Sequence, residues 1–148
     1  MSVARRQAVI SAPLARVWEL VGDPRRHPEW WPRVIEVRGE RFDQGAEYAQ
    51  VTKGPGSTVE TKFLVESRDD LREIKMRCTQ TGMYARWLLT EAQRDTFVEV
   101  EFGMDPTTFG PRVFDMALGR LYFRRWLEQS LDALEDAASP PAPTRDRY

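Results

Sequence analysis

The chain has 148 residues, with 22 Lys plus Arg against 23 Asp plus Glu and a formal net charge of −1. That length suits one domain with a sizeable core, and the charge balance gives no electrostatic basis for binding nucleic acid or an anionic membrane surface. One cysteine (Cys78) and one histidine (His27) leave no disulfide, thiolate cluster or imidazole cluster, and no apolar run approaches a membrane span.

Val3 to Ile10 is short, partly apolar and reads as a strand. Pro13 suits the first turn of a helix, where a missing N–H is harmless. Leu14, Val17, Trp18 and Val21 follow at helical spacing. Asp23-Pro24 is a second helix-start signal, predicting a short helix over Arg25 to Trp31, with Pro28 marking a kink or two short turns and Pro32 a stop. Within it, "HPEWWP" sets His27 beside Trp30 and Trp31. His27 precedes a proline and is expected in an extended or turn conformation near the surface. Trp31 is expected to plug the open end of the sheet, with Trp30 more exposed.

From Val34 to Met104 the period changes to two. Val59, Thr61, Phe63 and Val65 share one face, as do Ile74, Met76 and Cys78, then Ala85, Trp87 and Leu89, then Val98, Val100 and Phe102. Alternation of this kind marks antiparallel strands with one dry and one wet face. Turn chemistry at Asp43-Gln44-Gly45, Gly54-Pro55-Gly56-Ser57, Arg68-Asp69-Asp70, Thr81-Gly82 and Gln93-Arg94-Asp95 separates about six of them. Gly110-Pro111 opens a final long helix. Phe114, Ala117, Leu118 and Leu121 form one stripe on it, and Phe123, Leu127, Leu131 and Leu134 a second, so it needs cover on more than one side. Residues 1–138 are read as a single domain, and the proline-rich segment 139–148 as a disordered tail.

The order is strand, two short helices, six strands and one long helix. Its opening, "ISAPLARVWELVGDPRRHPEWWPRV", resembles that of the START-like (SRPBCC) superfamily, in particular the polyketide cyclase/dehydrase group. The residues concerned are Ile10, Ala12-Pro13, Val17-Trp18, Asp23-Pro24 and Pro28 to Pro32, with agreement continuing to the closing "LEQSLDALE". The resemblance implies an α+β helix-grip (Bet v1-like) fold: a curved antiparallel sheet of about seven strands wrapped around a long C-terminal helix. It also implies a hydrophobic cavity between sheet and helix, no obligatory cofactor and no shared catalytic motif.

A helix resting on a curved sheet touches its ends more closely than its middle, leaving room for a ligand. The residues expected to line that space are Trp31, Tyr48, Phe63, Met76, Trp87, Phe102, Phe114, Leu118 and Tyr122. Ala117 and Gly119 would widen it. The inward polar groups are Tyr48, Gln50, Thr61, Tyr122 and Cys78, and none of them identifies a catalytic residue. "GPGS" at 54–57 reads as a hairpin turn, "RDDLRE" at 68–73 as a solvated turn, and Arg124 and Arg125 as a solvated helix face. The leading expectation is binding of a hydrophobic or aromatic small molecule: a lipid, isoprenoid or polyketide-like compound. Two alternatives stand beside it: a cofactor-independent cyclase, aromatase or dehydratase acting in the same cavity, and a protein-interaction module without ligand. No cofactor, metal, nucleic acid or stable membrane insertion is expected. The chain is read as cytoplasmic, a monomer or homodimer.

Overall fold

A computed structural model describes residues 2–54, 56–104 and 116–139, without the side chains of residues 2 and 116–120. Strand β1 (Ser2–Ile10) leads into helix α1 (Leu14–Val21), a 3-10 turn (Pro24–Arg26) and the single-turn helix α2 (His27–Trp30). Six strands follow: β2 (Val34–Arg38), β3 (Glu47–Lys53), β4 (Thr58–Asp69), β5 (Glu73–Cys78), β6 (Met83–Ala92) and β7 (Asp95–Met104). The long helix α3 (Met116–Ala138) closes the order.

The strands form one antiparallel sheet in the order β1-β7-β6-β5-β4-β3-β2. Successive strands from β2 to β7 pair as hairpins, and β1 returns to pair with β7. The sheet's two edges are therefore β1 and β2, which are neighbours in sequence. Helices α1 and α2 connect them. The pairing of β4 with β5 shifts between Val65 and Ser67, and that of β2 with β3 between Val34 and Glu36. Shifts of this kind bend a strand and increase its twist, which curves the sheet.

Period-two alternation assigns the faces correctly. Tyr48, Gln50, Phe63, Val65, Ile74, Met76, Cys78, Ala85, Trp87, Leu89, Val98, Val100 and Phe102 are all buried on the concave side. Their neighbours carry charges on the convex side, where Arg5–Glu101, Arg77–Glu66 and Arg86–Glu73 form ion pairs. Pairs this exposed each add little stability. Helix α3 packs on β1 and β7 and against α1 and α2. Its stripe of Phe123, Leu127, Leu131 and Leu134 is buried, joined by Trp126 and Ser130.

Several expectations need correction. Pro13 is the N-cap of α1 rather than its first turn, its carbonyl accepting from Arg16 and Val17. Of the kink or two short turns expected around Pro28, the structure has two turns, divided earlier, at His27: Asp23 caps the 3-10 turn by accepting from the Arg25 N–H at 3.1 Å, and α2 starts at His27. His27 is helical, at φ −57 and ψ −37, and fully buried instead of lying near the surface. Trp30, expected to be the more exposed, is buried as Trp31 is, at 7% against 4%. Leu121, assigned to the first apolar stripe of α3, is 55% exposed. Phe114, the helix start at Gly110-Pro111 and the segment 140–148 lie outside the described residues, as do the side chains of Ala117 and Leu118 and the position of any side chain at Gly119.

Candidate functional site

The concave face has a filled end and an open end. The filled end is aromatic. Trp30 and Trp31 stack at 5.7 Å between ring centroids and 9° between planes. Both meet Trp87 edge-on, at 5.6 and 5.5 Å. Trp31 also stacks on Trp126 at 5.8 Å, and Phe102 lies against both. Consecutive residues on a regular helix point about 100° apart. Trp31 escapes that constraint because it is the C-cap of α2, in an extended conformation at φ −81 and ψ 116. Its ring can then turn back beside that of Trp30.

His27 locks the base of this cluster. Its Nε2 lies 2.8 Å from the Val21 carbonyl oxygen at the end of α1. A carbonyl only accepts, so Nε2 carries the proton and donates. Nδ1 is buried without a partner. Burial is the main cause that lowers the imidazole pKa to about 4, so His27 is neutral at ordinary pH. Trp30 donates its indole N–H to the Leu20 carbonyl at 3.0 Å, whereas the indole N–H groups of Trp31 and Trp87 have no partner.

The open end lies over β3, β4 and β5 and reaches the ends of β6 and β7 at Met83 and Met104. There a pocket of about 300 Å³ opens, lined by Gln50, Thr52, Gly54, Val59, Thr61, Phe63, Cys78, Thr81, Met83, Met104, Tyr122, Phe123 and Trp126. This is the lower end of the ~300–1,000 Å³ typical of small-molecule sites. The register explains the lining: Tyr48, Gln50 and Thr52 pair with Phe63, Thr61 and Val59 on β4, and Phe63 with Cys78 on β5. Met83 faces Met104 across β6 and β7. Helix α3 contributes Tyr122, Phe123 and Trp126.

None of the described lining residues is a carboxylate, ammonium, guanidinium or imidazole. The polar lining consists of three threonine hydroxyls, the Tyr122 phenol, Cys78 and Gln50. Gln50 is buried and donates its amide to Thr52 Oγ1 at 3.1 Å. Such a lining favours an uncharged, largely apolar body. Among the described residues, no group of three or more His, Cys, Asp or Glu is placed to hold a metal.

Of the residues expected to line the cavity, Phe63 and Tyr122 do so. Tyr48 lies directly behind, stacked on Phe63 at 5.9 Å. Its hydroxyl is buried without a partner, and burial pushes its pKa far above the ordinary phenol value. Trp31, Trp87 and Phe102 belong to the filled aromatic end, and Met76 is buried in the core without lining the pocket. The position of Phe114 and the side chain of Leu118 lie outside the described residues. Met83 and Met104 were not anticipated, although each continues an inward face, that of Ala85 and that of Phe102.

A larger groove of about 700 Å³ runs along the outside of α1, lined among others by Trp18, Asp23, Arg25, Arg41, Phe42, Asp43, Arg68 and Asp70. Its guanidinium groups are already matched: Arg25 with Asp23, Arg41 with Asp43 and Arg68 with Asp70. The groove is open and self-neutralised, a weaker ligand site than the apolar pocket.

Sheet order, edge helices and a closing helix over an apolar hollow define the helix-grip class of α+β domains. The chain belongs to the family described as polyketide cyclase/dehydrase and lipid transport, whose model matches residues 1–139. Solved structures of similar fold include a START superfamily protein from Mycobacterium smegmatis, 14% identical, with a TM-score of 0.78 over 93% of this chain and 97% of that one. The protein TTHA0849 from Thermus thermophilus is 17% identical, with a TM-score of 0.72 over 92% and 96% of the two chains. NE0264 from Nitrosomonas europaea is 14% identical, with a TM-score of 0.71 over 92% and 93%. At these identities the likeness concerns fold alone. No curated protein matches. No described helix is long and apolar enough to cross a membrane.

Proposed function

We propose that this protein binds a small hydrophobic molecule, aromatic or isoprenoid in character, in the pocket between β3–β7 and the Tyr122–Trp126 turn of α3. The observation that carries the reading is an apolar pocket of about 300 Å³ whose described lining bears no charge. Phe63, Met83, Met104, Phe123 and Trp126 supply the apolar walls. Burying ligand surface there gains roughly 25 cal/mol per Å² before the entropy of immobilisation is subtracted. The methionines adapt to irregular ligand shapes, and Gln50, Thr52 and Thr61 offer hydrogen bonds that orient a polar substituent.

Thr61 on the pocket wall is only partly buried, so Thr61→Trp fills the pocket without disturbing the core. Native mass spectrometry of the wild type against neutral aromatic and isoprenoid compounds is expected to give 1:1 adducts that Thr61→Trp abolishes. Absence of adducts, or adducts unaffected by Thr61→Trp, overturns the reading.

A further inference from the structure

Arg33 is a cation that the apolar pocket leaves unexplained. Among the described side chains, every other arginine that is not exposed has a carboxylate partner: Arg6 with Glu128, Arg16 with Glu19, Arg26 with Glu29, Arg68 with Asp70, Arg77 with Glu66 and Arg86 with Glu73. Arg33 is half-buried, has no such partner, and its Nε is buried without a hydrogen bond. A guanidinium N–H withdrawn from water without an acceptor is unfavourable. Its backbone stands at φ 76, in the left-handed region where glycine or asparagine is the easier choice. Strain of that kind at a charged residue points to a use for the side chain.

Three ties hold Arg33 beside the pocket. Its guanidinium carbon sits 5.1 Å from the centre of the Tyr122 ring. The carbonyl of the preceding Pro32 accepts the Trp126 indole N–H at 2.7 Å. The Arg33 carbonyl accepts the Lys53 N–H at 2.8 Å, directly after Thr52. Tyr122, Trp126 and Thr52 all line the pocket.

We infer that Arg33 receives the carboxylate of an amphipathic ligand whose apolar body lies in the pocket. This inference rests on the ligand-binding reading above and adds the charge of the ligand to it. The lining itself accepts only the neutral body, so an acidic head must be met at the rim. One planar guanidinium matches one planar monoanion through paired N–H donors. The Tyr122 ring beneath the guanidinium holds it in place by a cation–π contact.

The test compares 1-naphthylacetate with its neutral isostere 1-naphthylacetamide by isothermal titration, in the wild type, Arg33→Gln and, as a control, Arg94→Gln on the exposed β6–β7 turn. The wild type is expected to bind the acid about tenfold or more tightly than the amide, as for a single charge-assisted contact. Raising salt to about 0.5 M should shrink that preference. Arg33→Gln should bring the acid to the amide's affinity while changing the amide less than about twofold, and Arg94→Gln should change neither. Equal affinities in the wild type, a preference that survives Arg33→Gln, or one insensitive to salt overturns the role of Arg33 and leaves the pocket reading standing. The salt titration needs no variant, so it decides even if Arg33→Gln fails to fold. Failure of both probes to bind the wild type removes the pocket reading as well.

Discussion

Trp126 and Trp31 stack at 5.8 Å and 27°, yet their indole N–H groups have opposite fates. That of Trp126 donates to the Pro32 carbonyl at 2.7 Å, tying α3 to the end of the tryptophan-rich segment. That of Trp31 is buried without a partner. Replacing either ring by phenylalanine loses similar area, but only Trp126→Phe breaks a bond and strands an acceptor. Trp126→Phe is expected to be less stable than Trp31→Phe by about 1 kcal/mol, or about 2–4 °C in Tm for a chain of this size. Thermal unfolding of the two variants checks this, and equal melting temperatures contradict it.

Gly103 on β7 pairs with Tyr84 on β6, and the outer end of the tyrosine ring lies against it. A Cβ at Gly103 would stand 2.8 Å from the Tyr84 hydroxyl and 2.9 Å from its ring. Gly103→Ala should therefore push Tyr84 off Glu101, which its hydroxyl now contacts, and destabilise by about 1–3 kcal/mol. In a Tyr84→Ala background the same change should have little effect. Denaturant titration of the double-mutant cycle gives the coupling, and additive losses contradict this account.

His27 predicts an acid-side loss of stability. Burial lowers its folded pKa to about 4 from the ordinary histidine value of 6.5. Between those values the unfolded chain binds a proton that the folded protein does not, so stability falls as pH drops through that window. The contribution is present in full above about pH 6.5. It is lost progressively down to about pH 4, where the folded state protonates as well. A gap of that size corresponds to about 3 kcal/mol. His27→Gln, which can still donate to the Val21 carbonyl, is expected to remove this part of the pH dependence. Unfolding free energies at pH 7 and pH 4.5 check it; an unchanged difference between the two pH values in the variant counts against it.

Much of the fold was legible from residue spacing, and the site less so, for a physical reason. Once one face of a strand is buried, period two leaves a single arrangement, so Phe63, Trp87 and Phe102 were read as inward correctly. Whether an inward residue borders space or another ring depends on where α3 crosses the sheet, and strand parity is silent on that. Because α3 rests on β1 and β7, Trp126 covers Phe102, and the hollow shifts to Phe63, Cys78 and Met83. His27 was misplaced for a related reason. A histidine before proline reads as a surface turn, while its burial depends on the Val21 carbonyl six residues earlier, a partner that spacing does not mark.

The central claim is that an apolar ligand occupies the open end of the concave face, and the methionine methyl groups report on it directly. Met83 and Met104 line the pocket, whereas Met76 is fully buried and is not among its lining residues. In a spectrum of the protein carrying ¹³C-labelled methionine methyls, titration with the neutral fluorophore N-phenyl-1-naphthylamine is expected to shift Met83 and Met104 saturably and leave Met76 nearly still. Saturable shifts at Met76 with Met83 and Met104 unmoved, or no saturable shift at all, would contradict the account.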